Sequence, residues 1–444
     1  MSAAAARGTT DENLGALLAL QGRLVEATRE WARGLELGPE VAAARHEALR
    51  INHQRYAALV PAYRRVAEPL GALGPVPLQF IVDNLLLSDL FKSYDPTWLE
   101  ERDFRAMTAW LDGVSAHPVE IDLDGVEDLA TWRARLRAGG VFLSFSSGTS
   151  GRMSFVPRDP LTWKALLTNG ASYTDESWRT GAGGETLEFD CLVAGPRSGG
   201  MGILDAGAGL ARMAARSHFL FDRVLTADAV HDLAPAPGGA GAWGSDTGEL
   251  EAAYGRAFEF IRSGAAEGRL LLVFGAPFQV KRLCQRIAAS AGRIAAAPGS
   301  LVVTGGGWKS FRGELLARPD LLRLVEETLA VDAGRCIDAY STSELNCTFR
   351  TCRHGRYHVP PLVEAVVLDE ALLGVAGRPG HGALAFLDPF AASYPGFVIT
   401  GDQGNLAEGR CGCGLAGLFI DGEIQRAEGM EVRGCGGVLE SITV

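Results

Sequence analysis

Apolar residues recur at helical spacing through the first part of the chain. After Gly140 they give way to short apolar runs that alternate with helical stretches. Residues 12–67 predict helix: Leu14, Leu17, Leu18, Leu24 and Val25 recur near a helical period, as do Ala48, Leu49, Tyr56, Leu59 and Tyr63, with charge on the other faces. Residues 97–115 predict a further helix with Leu99, Met107, Trp110 and Leu111 on one side and Trp98 and Phe104 near its edges. The runs 140–143, 270–274, 301–303 and 363–368 read as buried strands, and residues 277–291 and 311–330 read as helices between them. Strands alternating with helices predict an α/β fold. Beyond residue 380 the chain turns glycine-rich with short strands. This order predicts a helical N-terminal region over 1–125, an α/β core over 126–380 and a β-rich C-terminal subdomain over 381–444. No internal repeat is found.

Composition narrows the class. A chain of 444 residues exceeds one small core, so two or more subdomains are expected. A hydrophobic content of 47% with 21% charged residues describes a globular protein. The net charge of −11 argues against a nucleic-acid partner. No apolar run is long enough to span a bilayer, and the N-terminal MSAAAARGTTDENLG lacks the apolar centre of a signal peptide. The eight cysteines are irregularly spaced, which suggests reduced thiols, metal ligands or a nucleophile rather than a disulfide framework. A cytoplasmic protein without a membrane partner is expected.

Three segments carry candidate chemistry. Directly after the apolar run 140–143 comes SFSSGTSGRMSFVP, Ser144 to Pro157. The hydroxyls of Ser146, Ser147, Thr149 and Ser150 and the backbone N–H groups can surround anionic oxygens, and Gly148 and Gly151 allow close approach. This is not a Walker A loop, because Arg152 and Met153 follow Gly151. An ordinary serine/glycine loop is the alternative. Tyr340-Ser341-Thr342-Ser343-Glu344 follows a strand-like Cys336-Ile337, and Glu344 suits Mg²⁺, which takes hard oxygen ligands beside phosphates. A helix start capped by Ser341 or Thr342 is the alternative. Thr400-Gly-Asp402-Gln-Gly404 follows the strand-like 396–399; an aspartate at a strand's end can accept both hydroxyls of a ribose, and a plain turn is the alternative. The Pro/Gly/Ala-rich stretch 234–248 contains a letter match to a dinucleotide loop, but no strand precedes it, so it reads as surface loop.

In this order the three segments resemble the adenylate-forming superfamily of acyl and aryl ligases. Within it the chain looks like the acyl-protein synthetases of bacterial fatty-acid reductase complexes. Gly305-Gly306-Gly307-Trp308-Lys309, the runs 356–361, 46–63 and 87–94 (LSDLFKSY), and Arg433-Gly434-Cys435 carry the same likeness. The resemblance implies the large domain of such ligases, with layered α/β subdomains, a small β-rich subdomain and a helical N-terminal extension. It implies activation of a carboxylic acid by ATP and Mg²⁺ to an acyl-adenylate. The loop with Ser146, Thr149, Ser150 and Gly151 would then cover the β- and γ-phosphates. Glu344 would hold Mg²⁺, with Ser343 where the family usually has threonine. Gly305 to Gly307 would line adenine, and Asp402, helped by Arg426, would bind ribose. The usual small C-terminal domain and its lysine are not expected before Val444, which leaves Arg152 or Lys309 to supply positive charge.

By the same resemblance Cys435 would take the acyl group as a thioester and pass it to an acyl reductase, a carrier protein or an acyltransferase. Its flanking glycines suit a hinge, and Arg433 favours thiolate; a small buried cysteine in a turn is the alternative. The rival functions are a shortened acyl-CoA or aryl-CoA ligase and a non-catalytic nucleotide-binding subunit. Three cysteines and a histidine make a tetrahedral zinc set. Related aryl ligases point to Cys352, His358, Cys411 and Cys413, with Cys347 and His354 in reserve. Residues 198–204 and the pair His218-Phe219 are candidates for the acyl pocket.

Overall fold

The computed structural model describes residues 13–145, 153–171, 179–180, 185–199, 202–224, 247–307, 315–369 and 379–427. β1 (Phe142–Phe145) and β2 (Phe155–Arg158) form an antiparallel hairpin of their own. The other described strands join one sheet: β3 (Phe189–Ser198), β4 (Arg216–Val224), β5 (Leu270–Gly275), β6 (Leu301–Gly305), β7 (Cys336–Tyr340), β8 (Phe349–Thr351), β9 (Tyr357–His358), β10 (Glu364–Leu368), β11 (Gly380–Leu387), β12 (Phe397–Arg410) and β13 (Ala416–Arg426). Their order across the sheet is β10-β11-β12-β13-β9-β8-β7-β6-β5-β3-β4. From β4 to β7 neighbours run parallel; from β7 to β10 they run antiparallel.

The parallel half needs two covered faces, which is why β5 reads Leu-Leu-Leu-Val-Phe-Gly and is buried throughout. Its alternate residues split between two cores. Cys191, Val193, Leu272 and Phe274 pack on one face with the helix Gly202–Met213. Leu192, Leu271 and Val273 pack on the other with Thr247–Ala266, Pro277–Ala291 and Arg318–Leu329. The antiparallel half takes strands from both sides of residue 380, since β10 and β11 pair directly.

The N-terminal helices are shorter than the periodicity predicts. Residues 12–67 divide into Leu14–Ala32, Pro39–Leu59 and Pro61–Ala67, because Gly34 turns at φ +83 and each later helix opens on a proline. Residues 97–115 divide into Pro96–Glu100 and Phe104–Gly113 around Arg102 at φ +58. The expected helix over 311–330 is described only as Arg318–Leu329. The buried face of Pro39–Leu59 docks on the turn before β12. Asn52 Nδ2 donates to the Pro389 carbonyl at 2.9 Å, an Arg55 guanidinium N–H to Ala392 O at 2.8 Å and Tyr56 O–H to Ala391 O at 2.5 Å. No helix among the described residues is long and apolar enough to cross a membrane.

The hairpin β1–β2 brackets residues 146–152 and is held by one buried cation. Arg158, 0% exposed, donates to Asn346 Oδ1 at 2.8 Å, Ser144 Oγ at 2.8 Å, the carbonyls of Ser343 at 2.8 Å and Leu345 at 3.2 Å, and Tyr394 O at 3.0 Å. Its guanidinium lies 5.1 Å from the centre of the Tyr394 ring. Asn346 in turn donates its backbone and side-chain N–H to Asp388 Oδ2 at 2.6 and 3.0 Å. Burial pushes the Asp388 carboxyl up to about 6, against the pull of these N–H donors. Arg158→Met keeps the stem but strands Ser144, Asn346 and two carbonyls in a dry interior. It is expected to lower stability by about 3–5 kcal/mol in denaturant titration, and Arg158→Lys, lacking the fork, should recover little of it.

Candidate active site

The site forms outside the carboxyl ends of β6 and β7, where open α/β sheets place their ligands. Gly305 ends β6 and pairs with Ala339. Gly306 and Gly307 follow at φ +80 and +64, a region that favours glycine. A Cβ on Gly306 would also lie 3.2 Å from Ile203 Cδ1. Tyr340 ends β7, and the chain then turns into β8 without starting a helix, so the capping alternative for Ser341 and Thr342 does not hold. Ser341 Oγ instead donates to the Cys347 carbonyl at 2.9 Å, closing the loop. Glu344 is half-buried, and its backbone carbonyl accepts from Tyr394 O–H at 2.9 Å.

Asp402 does not stand at a strand's end, and Thr400–Gly404 is not a plain turn. β12 continues through it to Arg410, with Gly401 at φ +71 and a register shift between Gln403 and Asn405. Asp402 is therefore held mid-strand, 1% exposed. Its cross-strand neighbour Arg426 donates to Oδ1 at 2.6 Å, and Tyr340 O–H donates to Oδ2 at 3.0 Å. Burial raises the Tyr340 phenol well above its ordinary pKa, so it stays a donor. Two segments that lie 62 residues apart thus share one hydrogen bond. Nearby, Asp338 accepts from Thr304 O–H and Tyr357 O–H, each at 2.5 Å, and burial raises its carboxyl pKa.

Of the residues singled out from sequence, the structure brings Tyr340, Asp402 and Arg426 into direct contact, and sets Gly305–Gly307 and Ser341–Glu344 on adjoining strand ends. Ser146, Ser147, Gly148, Thr149, Ser150, Gly151, Arg152, Lys309, Arg433 and Cys435 lie outside the described residues, as does most of 234–248. His218 stacks on Phe260 with ring centres 5.5 Å apart, a packing role, and burial lowers its pKa. Two cations escaped sequence reasoning. Arg158 carried no local signal, and Lys92 sat unremarked within 87–94. Lys92 lines a cavity with Asp89, Glu344, Val398, Ile399 and Thr400.

A second constellation lies where two hairpin turns meet. The turn from β8 to β9 carries Cys352, whose N–H donates to Arg356 O at 3.0 Å; the turn from β12 to β13 carries Cys411, whose N–H donates to Leu415 O at 2.8 Å. Pairing of β9 with β13 sets them side by side. The ligand atoms of Cys352, His358, Cys411 and Cys413 all lie within 4.8 Å of one another. Cys352 Sγ is 3.8 Å from Cys411 Sγ, and Cys413 Sγ is 3.2 Å from His358 Nε2. A tetrahedron with arms of about 2.3 Å has edges of about 3.8 Å, so the set fits a zinc ion. Burial drops His358 to about 4, leaving the imidazole neutral and able to ligate. Of the reserves, Cys347 is buried beside Ser341, and His354 lies against Gly412 at the turn; neither belongs to the set.

Comparison with known proteins agrees with this geometry. Residues 250–443 match the acyl-protein synthetase family LuxE. The long-chain-fatty-acid–luciferin-component ligase of Aliivibrio fischeri is 33% identical over 139 residues, 31% of this chain and 37% of that protein. The enzyme of the same name from Vibrio harveyi is 30% identical over 143 residues, 32% of this chain and 38% of that protein. The match spans little more than a third of either relative's length. A crystal structure of 2-hydroxyisobutyryl-CoA ligase, in an open conformation with 2-HIB-AMP and CoA, superposes with a TM-score of 0.51 at 16% identity, over 88% of this chain and 71% of that one. At that identity the likeness speaks for the fold, which is that of the adenylate-forming ligases. The residues matched to the acyl-protein synthetase family, 250–443, include Tyr340, Glu344, Asp402 and Arg426.

Proposed function

We propose that this chain activates a carboxylic acid with ATP and Mg²⁺, forming an acyl-adenylate, and then moves the acyl group to a thiol. The observation that carries this reading is the contact of Tyr340 with Asp402, because it joins the strand end that leads to Glu344 to the strand that presents a buried carboxylate. Asp402 is a buried carboxylate oriented by Tyr340 and Arg426, and a carboxylate is the group that accepts from ribose hydroxyls. Gly305–Gly307, at the end of β6 next to β7, offer backbone groups for a base. Glu344, half-buried at a cavity wall, would hold Mg²⁺, which neutralises phosphate charge. A carboxylate oxygen of the acid attacks the α-phosphorus, and pyrophosphate leaves with the electron pair. The family match and the names of the curated relatives favour a fatty acid as substrate, and Cys435 as the thiol that receives it before a protein partner does. The cysteine–histidine set would hold a structural zinc that braces the hairpins behind Asp402 and Arg426.

Exchange of labelled pyrophosphate into ATP, run over a panel of straight-chain fatty acids, tests the first step. Exchange that needs an acid is expected, with Glu344→Gln reducing it roughly 10²–10³-fold. No exchange with any acid would leave a nucleotide-binding subunit. Labelled acid should then give hydroxylamine-sensitive label on the protein that Cys435→Ala removes while exchange survives; label on coenzyme A instead would mark an acyl-CoA ligase.

Metal analysis of protein purified without chelator should find one zinc per chain. Cys413→Ser should lose it and melt at lower temperature, whereas an unchanged metal content would reject the site.

A further inference from the structure

The segment Leu87–Tyr94 is fastened to β12, to Tyr394 and to Met153. Leu87 N–H donates to Phe397 O at 2.8 Å, and Ile399 N–H donates to Leu87 O at 3.0 Å, so the segment starts as a short parallel partner of β12. Phe91 meets the Tyr394 ring edge-on with centres 5.4 Å apart, and Tyr394 is the side chain that donates to the Glu344 carbonyl. Tyr94 O–H donates at 3.0 Å to the carbonyl of Met153, at the start of β2's approach from the serine/glycine loop. Between these anchors Asp89 stands at φ +56, left-handed without being glycine. Such backbone persists where surrounding contacts fix it, and it collects at functional sites.

What this segment delivers to the cavity is Lys92. Its side chain is only 11% exposed, with Nζ 3.9 Å from Asp89 Oδ1. The same cavity is lined by Glu344 and by Val398, Ile399 and Thr400, the last of them two residues before Asp402. Under the adenylation reading these walls have assigned partners: ribose beyond Thr400, and the magnesium-bound phosphates at Glu344. The group that joins ribose to those phosphates is the α-phosphate.

We propose that Lys92 is the cation that engages the α-phosphate of ATP during adenylation. As the carboxylate oxygen bonds to phosphorus and the bond to pyrophosphate breaks, negative charge gathers on the non-bridging oxygens. A fixed ammonium in a water-poor wall opposes that charge more strongly in the transition state than in bound ATP. Lys92 stays protonated throughout, and no proton changes hands. The inference rests on the adenylation reading and adds to it a residue outside the three sequence segments.

The test uses the full chain, with Lys92→Met, which keeps the apolar stem, and Lys92→Arg, which keeps the charge. Acid-dependent pyrophosphate exchange and equilibrium binding of ATP are measured for each, after thermal melts show folding. Lys92→Met is expected to lose roughly 10²–10³-fold in kcat for exchange with the Kd for ATP changed less than about fivefold, and Lys92→Arg to restore part of the rate. Exchange within twofold of the parent in Lys92→Met overturns the proposal while leaving adenylation standing. So does a raised KM for the acid at unchanged kcat, which would put the ammonium on the substrate carboxylate. Should Lys92→Met fail to fold, Lys92→Arg decides: a full-rate arginine variant supports the proposal, and a folded but inactive one overturns it. A parent protein without exchange sinks both readings together.

Discussion

The buried guanidinium of Arg158 is the contact on which the site's geometry depends. A fully dry cation is costly unless every donor finds an acceptor. Arg158 meets that demand by drawing together Ser144 on β1, Asn346 and two carbonyls of the loop that carries Glu344, and Tyr394 before β12. These groups come from three stretches far apart in the chain. The hairpin that brackets residues 146–152 therefore cannot shift without breaking the loop of Glu344 as well. Removing the guanidinium would leave the acceptors unpaired, so the arrangement is close to all-or-none.

Around that clamp the two halves of the sheet divide the labour. The parallel half, covered on both faces, is a rigid floor whose strand ends present Gly305 and Tyr340. The antiparallel half supplies Asp402 and Arg426 from paired strands, with a register shift after Gln403 that lets β12 bend at the site. The N-terminal helices close the assembly. Asn52, Arg55 and Tyr56 satisfy the carbonyls of Pro389, Ala392 and Ala391, and Trp31 Nε1–H donates to Ala416 O at 2.7 Å beside the cysteine turns. Trp31 also packs edge-on to His358 with ring centres 6.2 Å apart. The helical region thus holds both the turn before β12 and the cysteine turns.

The cysteine–histidine set shows how secondary structure gathers groups able to ligate a metal. Each turn satisfies its own backbone, and the β9–β13 ladder fixes the turns in register. Four ligand atoms then lie within 4.8 Å of one another, and burial lowers the His358 pKa.

Much of this chain was readable from its residues. Period and run length gave the strands over 270–274, 301–303 and 363–368 and the helix over 277–291, because continuous apolar runs and helical spacing are local signals. The type and spacing of Tyr340, Glu344 and Asp402 were also local, whereas Cys352, His358, Cys411 and Cys413 were chosen by the resemblance to aryl ligases. Segment boundaries were less so: glycine at positive φ and proline at helix starts divided what periodicity joined, and β12 ran on where Thr-Gly-Asp suggested a stop. Only the folded chain decided which residues meet. Arg158 and Lys92 look like any other basic residues in the sequence. Their roles arise because burial strips them of water and surrounds them with acceptors contributed by distant segments, and nothing in a residue's neighbours along the chain encodes its neighbours in space.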